Sequence, residues 1–500
     1  MTSRRPRKVI LFLLNVVVFT SASCGPTITQ TSRSTPKPKI HLTSCRFPKY
    51  SEEVLCGKYD VFEDRTAQSG RTITLNLVVL SALAVKPERD PVFFLYGGPG
   101  EGAAVFASRG GDHYWRELRR ERDLVFIDQR GTGNSHRLHC DLYGKKTDVQ
   151  IYFHDMFPVD RIRACREQLQ KIADVKLYTT PIAMDDVDEV REAMGYKKIN
   201  LYGVSYGAVS ALEYLRRHPA HVRSAVLAGA ATPAMKLPLQ FARGAQSTMD
   251  KLMDDCATDD TCHAAFPRLR ADFAAVLDQF EKGWVSFEIP HPKRKKPQPV
   301  RMSRGIFVEK LRLMLYSSSA SALVPVLIHR AAQRDWLPFG RTALSRMAAA
   351  IDSVSGMYLT VTCSEGVAAI TEEEIVRETS NTFLGDYRTR THLRACQEWP
   401  RGDISADFYK PVRSDVPVLM LSSEFDPATP PQFGRAAAEF LPNSHQIVMR
   451  NTAHGYGSDC FRNITAEFIS KASAEQLDTA CIVGLRAPAF VSELPAELKQ

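Results

Sequence analysis

The stretch INLYGVSYGAV, residues 199–209, decides how the chain folds. Ile199 to Tyr202, apolar but for Asn200, is a short run of the kind that forms a strand buried on both faces. Tyr206 to Arg217 is apolar almost all round and reads as a buried helix. Between them stands Gly203-Val204-Ser205-Tyr206-Gly207, and a Gly-x-Ser-x-Gly set between strand and helix makes a turn sharp enough to lift the serine clear of the sheet. Ser205 then lies at a helix amino terminus, where the dipole and the free N–H groups favour developing negative charge.

Outward from this turn, other apolar runs share its character. Val92–Tyr96 (VFFLY) and Leu124–Asp128 (LVFID) read as buried parallel strands, each followed by a glycine-bearing loop. Thr72–Leu80 alternates, with Ile73, Leu75 and Leu77 on one face, and reads as an antiparallel strand near a sheet edge. A helix is expected from Thr180, as N-cap, to Gly195, with Pro181 in its first turn and an apolar stripe at Ala183, Val187, Val190 and Met194. A short strand at Ala225–Ala228 follows, and then helical patterns dominate from about Pro233 to Tyr409: 237–256, 264–280, 304–316, 321–334 and 342–354. Strands return at 416–421 (VPVLML) and 446–449 (QIVM). The simplest topology is one mostly parallel sheet interrupted by a helical insertion that roofs it, with chemistry outside the carboxyl ends of the strands. The boundaries expected are a signal peptide at 1–23, a tether at 24–44, the first part of the core at 45–232, the helical cap at 233–410 and the last part of the core at 411–500.

A serine hydroxyl is a poor nucleophile near neutral pH, so Ser205 needs a base, and the base needs an acid to orient it. In a strand–turn–helix arrangement of this kind the order along the chain is serine, acid, histidine. The first carboxylates after the 416–421 strand are Glu424 and Asp426, of which Asp426 is preferred because Pro427 and Pro430 fix the loop just beyond it. His454, in NTAHG, follows the next strand. His218 lies at a helix end, and His113, His136 and His139 have no acid placed after a strand. The expected oxyanion donors are the N–H of Tyr206 and that of Gly98 in Gly97-Gly98-Pro99-Gly100, the loop after the Val92 strand.

Composition limits what else the chain could be. Its 500 residues are 44% hydrophobic, 24% charged and 9% aromatic, an ordinary globular balance that excludes collagen-like, disordered and many-spanning classes. Lys and Arg exceed Asp and Glu by 65 to 56. Removing Arg4, Arg5, Arg7 and Lys8 with the leader lowers the excess from nine to five, too slight to indicate nucleic acid as a partner. The dense run Lys293-Arg294-Lys295-Lys296 reads as a solvated loop. Val9–Phe19 is apolar but far shorter than the about 20 residues a membrane helix needs, so with its basic start and the small residues 21–23 it reads as a secretory signal. Cys24 follows directly, in an arrangement resembling a bacterial lipoprotein signal, although Ser21 stands where such signals carry a larger aliphatic residue.

Export brings an oxidising compartment, and of the eleven cysteines ten remain once Cys24 is set aside. Their order suggests neighbours pairing, 45 with 56, 140 with 165, 256 with 262, 363 with 396 and 460 with 481, a connectivity that sequence alone does not fix. There is no Cys-x-x-Cys and no His-x-x-x-His, so no metal is expected. No cofactor is expected either, since side chains and backbone amides fill every chemical role.

Four segments together resemble the prolyl and tripeptidyl aminopeptidase (TAP-like) branch of the α/β-hydrolases: YGGPG at 96–100, DQRGTGNS at 128–135, YGVSYG at 202–207, and FDPATP with NTAHG near the end. The resemblance spans most of the chain from about Cys45. It implies an α/β-hydrolase fold with an inserted, mainly helical cap, and an exported serine peptidase that cleaves near a free peptide amino terminus with Ser205, Asp426 and His454 as triad. It also implies that Asp128 and Arg130 brace the site loops and that a cap acid receives the substrate ammonium, for which Glu365 in TVTCSEG is the candidate. Prolyl members commonly carry His where this chain has Tyr96, which points toward the tripeptidyl or broader-specificity group. The same triad would serve an esterase or lipase, and a hydrolase fold without activity would serve as an exported binding protein.

Overall fold

The strands, in chain order, are β1 (Thr43–Cys45), β2 (Val54–Phe62), β3 (Thr72–Leu80), β4 (Val92–Leu95), β5 (Leu124–Ile127), β6 (Ile199–Val204), β7 (Val222–Ala228), β8 (Trp284–Pro290), β9 (Pro297–Ser303), β10 (Val418–Ser423) and β11 (Ser444–Met449). They belong to a computed structural model that describes residues 40–47, 52–108, 113–143, 148–291, 296–350 and 355–499. The expected signal segment, Cys24, most of the tether and residues 293–295 of the basic run lie outside the described residues.

Nine strands form one sheet in the order β1-β2-β3-β5-β4-β6-β7-β10-β11. The pairs from β1 through β3 to β5 are antiparallel, and every pair beyond is parallel. The chain is an α/β-hydrolase in fold: a mostly parallel central sheet with helices on both faces. The all-apolar runs of β4 and β5 are buried at every position, as strands covered on both sides must be. On one face Leu75, Leu77, Phe93, Val125 and Leu201 pack with the helices Thr180–Ala193 and Tyr206–Arg217. On the other, Val78, Leu80, Phe94, Phe126 and Tyr202 pack with the helix Asp459–Lys471.

Between β7 and β10 the chain is mainly helical and has a core of its own, in which Phe273, Phe280, Phe307, Trp336 and Phe339 are buried. Besides the helices Ser355–Val361, Glu372–Thr379 and Tyr387–Gln397, which the sequence pattern did not single out, this segment differs from the sequence expectation in two places. It contains an antiparallel hairpin, β8 with β9. The helix expected over 264–280 is two helices, Asp260–Ala265 and Leu269–Asp278, because Pro267 supplies no N–H to carry a helix through. A third correction concerns Thr180. The N-cap is Thr179, which makes no side-chain cap bond, and Thr180 is the first residue of the helix.

Five disulfides join Cys45 to Cys56, Cys140 to Cys165, Cys256 to Cys262, Cys363 to Cys396 and Cys460 to Cys481, neighbours along the chain in every case. Bonds of this kind form and persist under oxidising conditions. No helix among the described residues is long and apolar enough to cross a membrane.

Candidate active site

Register puts the site at one end of the sheet. Leu95, the last residue of β4, pairs with Gly203 near the end of β6, so the loop after β4 and the turn after β6 emerge side by side. A β-carbon on Gly207 would lie 1.9 Å from the carbonyl oxygen of Leu95, so only glycine lets the helix begin this close to the neighbouring strand. Ser205 itself has φ 56 and ψ −121, a backbone state that L-residues avoid at a cost of about 1–3 kcal/mol. The strained serine is what the strand–turn–helix reading requires. Gly97 backs it from the other loop: a β-carbon there would lie 2.9 Å from Cβ of Ser205 and 3.1 Å from the Tyr206 nitrogen.

The loops after β10 and β11 bring Asp426 and His454 to the same place. Nε2 of His454 is 3.1 Å from Oγ of Ser205, and its Nδ1 is 2.8 and 2.9 Å from the two carboxylate oxygens of Asp426. Asp426 is fully buried, and four other donors hold it. The N–H groups of Ala428 and Thr429 donate to Oδ1 at 2.8 Å each, while the Thr429 hydroxyl, at 2.8 Å, and the Tyr456 hydroxyl donate to Oδ2. Burial by itself would raise the carboxyl pKa, but the imidazole and these hydrogen bonds outweigh it and bring the group down to about 2. An ionised carboxylate on Nδ1 keeps that nitrogen's proton in place and leaves Nε2 free to accept one from Ser205. Glu424, the other acid weighed from sequence, instead accepts from the N–H of Asn451.

Ser205, Tyr206, Gly98 and His454 line one cavity of about 480 Å³. Its walls are largely aromatic: Tyr96, Phe106, Tyr114 and Trp115 from the core, Phe241 and Tyr316 from the cap segment. The Tyr316 ring meets the His454 ring edge-on at 4.9 Å. Glu101 is the one carboxylate among the described residues of the lining, which includes no Lys or Arg.

Glu365 is not brought to this cavity. It is 4% exposed, and its carboxyl faces Thr180 and Tyr206 behind the cavity wall. Burial chiefly, offset in part by those contacts, pushes its pKa up to about 7, so near neutrality it is a poor counter-charge for an ammonium group. Asp128 and Arg130 brace loops. Asp128 accepts from the N–H groups of Ala104 and Asn134 at 2.9 Å, and buried Arg130 pairs with Asp186 and donates to the carbonyls of Glu63 and Leu177.

Sequence reasoning missed Thr429, Tyr456, Tyr316 and Glu101. Tyr456 and Thr429 lie two and three residues beyond the singled-out His454 and Asp426, which is the one local signal they carried. Asp188, His218 and His221 are the group among the described residues whose atoms could meet a metal ion. Asp188 is already engaged there by Arg191, Tyr214 and His221, each at 2.7 Å, and the guanidinium opposes a second cation.

Residues 90–265 match the family described as alpha/beta hydrolase fold, and residues 381–481 match the one described as TAP-like protein. A tripeptidyl aminopeptidase of Streptomyces lividans is 28% identical over 195 residues, which is 36% of this chain and 36% of that one. The aligned part thus spans about a third of the length of that relative. A serine protease of Mycobacterium tuberculosis is 22% identical over 495 residues, covering 90% of this chain and 89% of its own. A proline iminopeptidase of Neisseria gonorrhoeae is 32% identical over 143 residues, 29% of this chain and 33% of that one. Among solved structures, a proline iminopeptidase of Mycobacterium smegmatis aligns at 17% identity with a TM-score of 0.41, over 83% of this chain and 98% of its own.

Proposed function

The chain belongs to the TAP-like α/β-hydrolases, and from that premise we propose that it is an exported serine aminopeptidase that releases residues or short peptides from a free peptide amino terminus. The observation that carries the reading is the contact of Ser205 Oγ with His454 Nε2 at 3.1 Å, with Asp426 behind the ring. His454 accepts the Ser205 proton as the oxygen attacks the scissile carbonyl carbon. The resulting oxyanion is met by the N–H groups of Tyr206 and Gly98, and a donor so aimed contributes about 10²–10³ in rate. His454 then protonates the departing amine, leaving an acyl group on Ser205. Water, deprotonated by the same imidazole, attacks the acyl carbon, and collapse restores the serine.

The amino-terminal preference is assigned to Glu101, the carboxylate in the lining of this aromatic cavity, as the group of the right charge for an ammonium. Disulfide bonding supports the proposal of export, and the short apolar leader with Cys24 supports a lipid anchor as its form. The test has two parts. A fluorophosphonate probe should label the protein and fail to label Ser205→Ala of the same fold; labelling of that variant removes Ser205 as nucleophile. Aminoacyl and tripeptidyl anilides should be cleaved and their N-acetylated forms should not, and Glu101→Gln should raise KM for the free amines alone. Equal turnover of free and blocked amides, with faster cleavage of short nitrophenyl esters, would make the enzyme an esterase.

A further inference from the structure

Glu365 stands on the π-turn Thr362–Gly366, which continues the helix Ser355–Val361 and is tied to the helix Tyr387–Gln397 by the Cys363–Cys396 bond. A β-carbon on the next residue, Gly366, would lie 1.9 Å from the Leu237 carbonyl, so the turn is pressed against the chain where it enters the cap. From there the Glu365 carboxyl reaches two helix starts. Oε1 accepts the N–H of Thr180 at 2.6 Å, one of the orphan donors of that helix. Oε2 meets the Thr180 hydroxyl at 3.0 Å and the Tyr206 hydroxyl, and those two hydroxyls are 3.0 Å from each other. Tyr206 opens the other helix and directly follows Ser205.

These contacts consume the carboxyl. Turning it into the cavity to meet an ammonium group would strip the Thr180 N–H and one of the two hydroxyls of an acceptor in a buried place, a loss that nothing nearby offsets. Holding Tyr206, in contrast, fixes both ends of one residue: the hydroxyl at Glu365 and the backbone nitrogen beside Gly97.

We propose that Glu365 is a positioning residue: from the cap it locks the Tyr206 side chain, and thereby the backbone amide beside the nucleophile, so the oxyanion donor is aimed only while the cap segment is seated. This rests on the assignment of Ser205 and the Tyr206 amide made above. A second consequence concerns charge. The acidic and phenolic groups facing Glu365 are Tyr206 and Glu213 from the helix after Ser205, and Tyr409 from the 3₁₀ turn Ala406–Tyr409, and burial is the chief cause of its raised pKa. Its proton therefore leaves near neutrality, and the anion that remains lies one tyrosine side chain behind the place where the oxyanion develops.

The test compares Glu365→Ala, Glu365→Gln and Tyr206→Phe in the full chain, read by kcat, KM and the rate of fluorophosphonate labelling from pH 5 to 10. Glu365→Ala should lower kcat and labelling rate about tenfold or more with KM unchanged, since the affected interaction forms only in the transition state. Glu365→Gln keeps an acceptor for Thr180 and a polar partner for Tyr206, so it should recover most of that loss and carry its activity to higher pH than wild type. Tyr206→Phe, which keeps the ring, should reproduce the Ala loss and serves if the Ala variant does not fold. A folded Glu365→Ala or Tyr206→Phe with wild-type kcat overturns the proposal. So does a rise in KM confined to free-amine substrates, which would make Glu365 an ammonium anchor after all. If Ser205→Ala is inert while the Glu365 variants behave as wild type, only the positioning role fails; if Ser205→Ala still turns over substrate, the site assignment itself fails.

Discussion

Replacing Asp426 with Asn changes one atom, and the structure dictates where that atom goes. Oδ1 accepts two backbone N–H groups, from Ala428 and Thr429, that cannot turn away, so the amide oxygen of Asn must take this position. The NH₂ group then replaces Oδ2, which faces the Thr429 and Tyr456 hydroxyls and Nδ1 of His454. The Oδ1 position, although 2.9 Å from Nδ1, already accepts both N–H groups, so the ring meets the NH₂ group; the hydroxyls can rotate to accept from it, but the imidazole can accept at Nδ1 only by carrying its proton on Nε2. That proton then points at Ser205, and the ring no longer serves as base. The same exchange in a serine protease of another fold lowers kcat about 10⁴-fold, which at 1.36 kcal/mol per decade is about 5 kcal/mol of transition-state stabilisation. Substrate contacts are untouched, so KM should hold and the fold should survive. The assay is steady-state turnover of an aminoacyl anilide and a nitrophenyl ester by the folded variant. A kcat within about tenfold of wild type would refute the tautomer argument, and a loss carried by KM would place Asp426 in binding.

Two further outcomes follow from the same geometry. Gly207→Ala drives a methyl group into the Leu95 carbonyl, a backbone clash that no rotamer relieves, and should cost about 4 kcal/mol or more; thermal unfolding reads it, and an unchanged Tm would mean that the helix start is not packed as described. Asp426, with its pKa depressed to about 2, gives stability that is fully present above the unfolded value near 3.9 and is lost as pH falls toward 2. Wild type should accordingly lose about 2–3 kcal/mol relative to Asp426→Asn over that interval in denaturant titrations, and parallel acid curves for the two proteins would deny the shift.

Much of the site was legible because its cause is local. The turn at Ser205 needs glycine on either side, and those glycines stand in the sequence next to the serine they serve. Asp426 and His454 could be read because strand, loop and residue type occur in a fixed order. Glu365 could not be, since its partners Thr180 and Tyr206 lie 185 and 159 residues away and no periodicity reports which way a buried carboxyl turns. Thr180 looked like an N-cap for a related reason: the helix finds its acceptor on another segment instead of on its own first side chain. The hairpin β8–β9 was hidden by prolines at both ends and the basic run between its strands. β2 was hidden by Gly57 and the charged Lys58 and Asp60 within it, which pair with Leu77, Asn76 and Thr74 of β3.

The disulfides close loops of 6 to 33 residues, and no two of them interleave. A polypeptide delivered amino end first to an oxidant therefore presents these ten thiols two at a time, each pair complete before the following one emerges. For these ten cysteines, pairing in order of emergence would match the connectivity seen, and both bonds of the long detour between β7 and β10 could close before the last two strands arrive to complete the sheet.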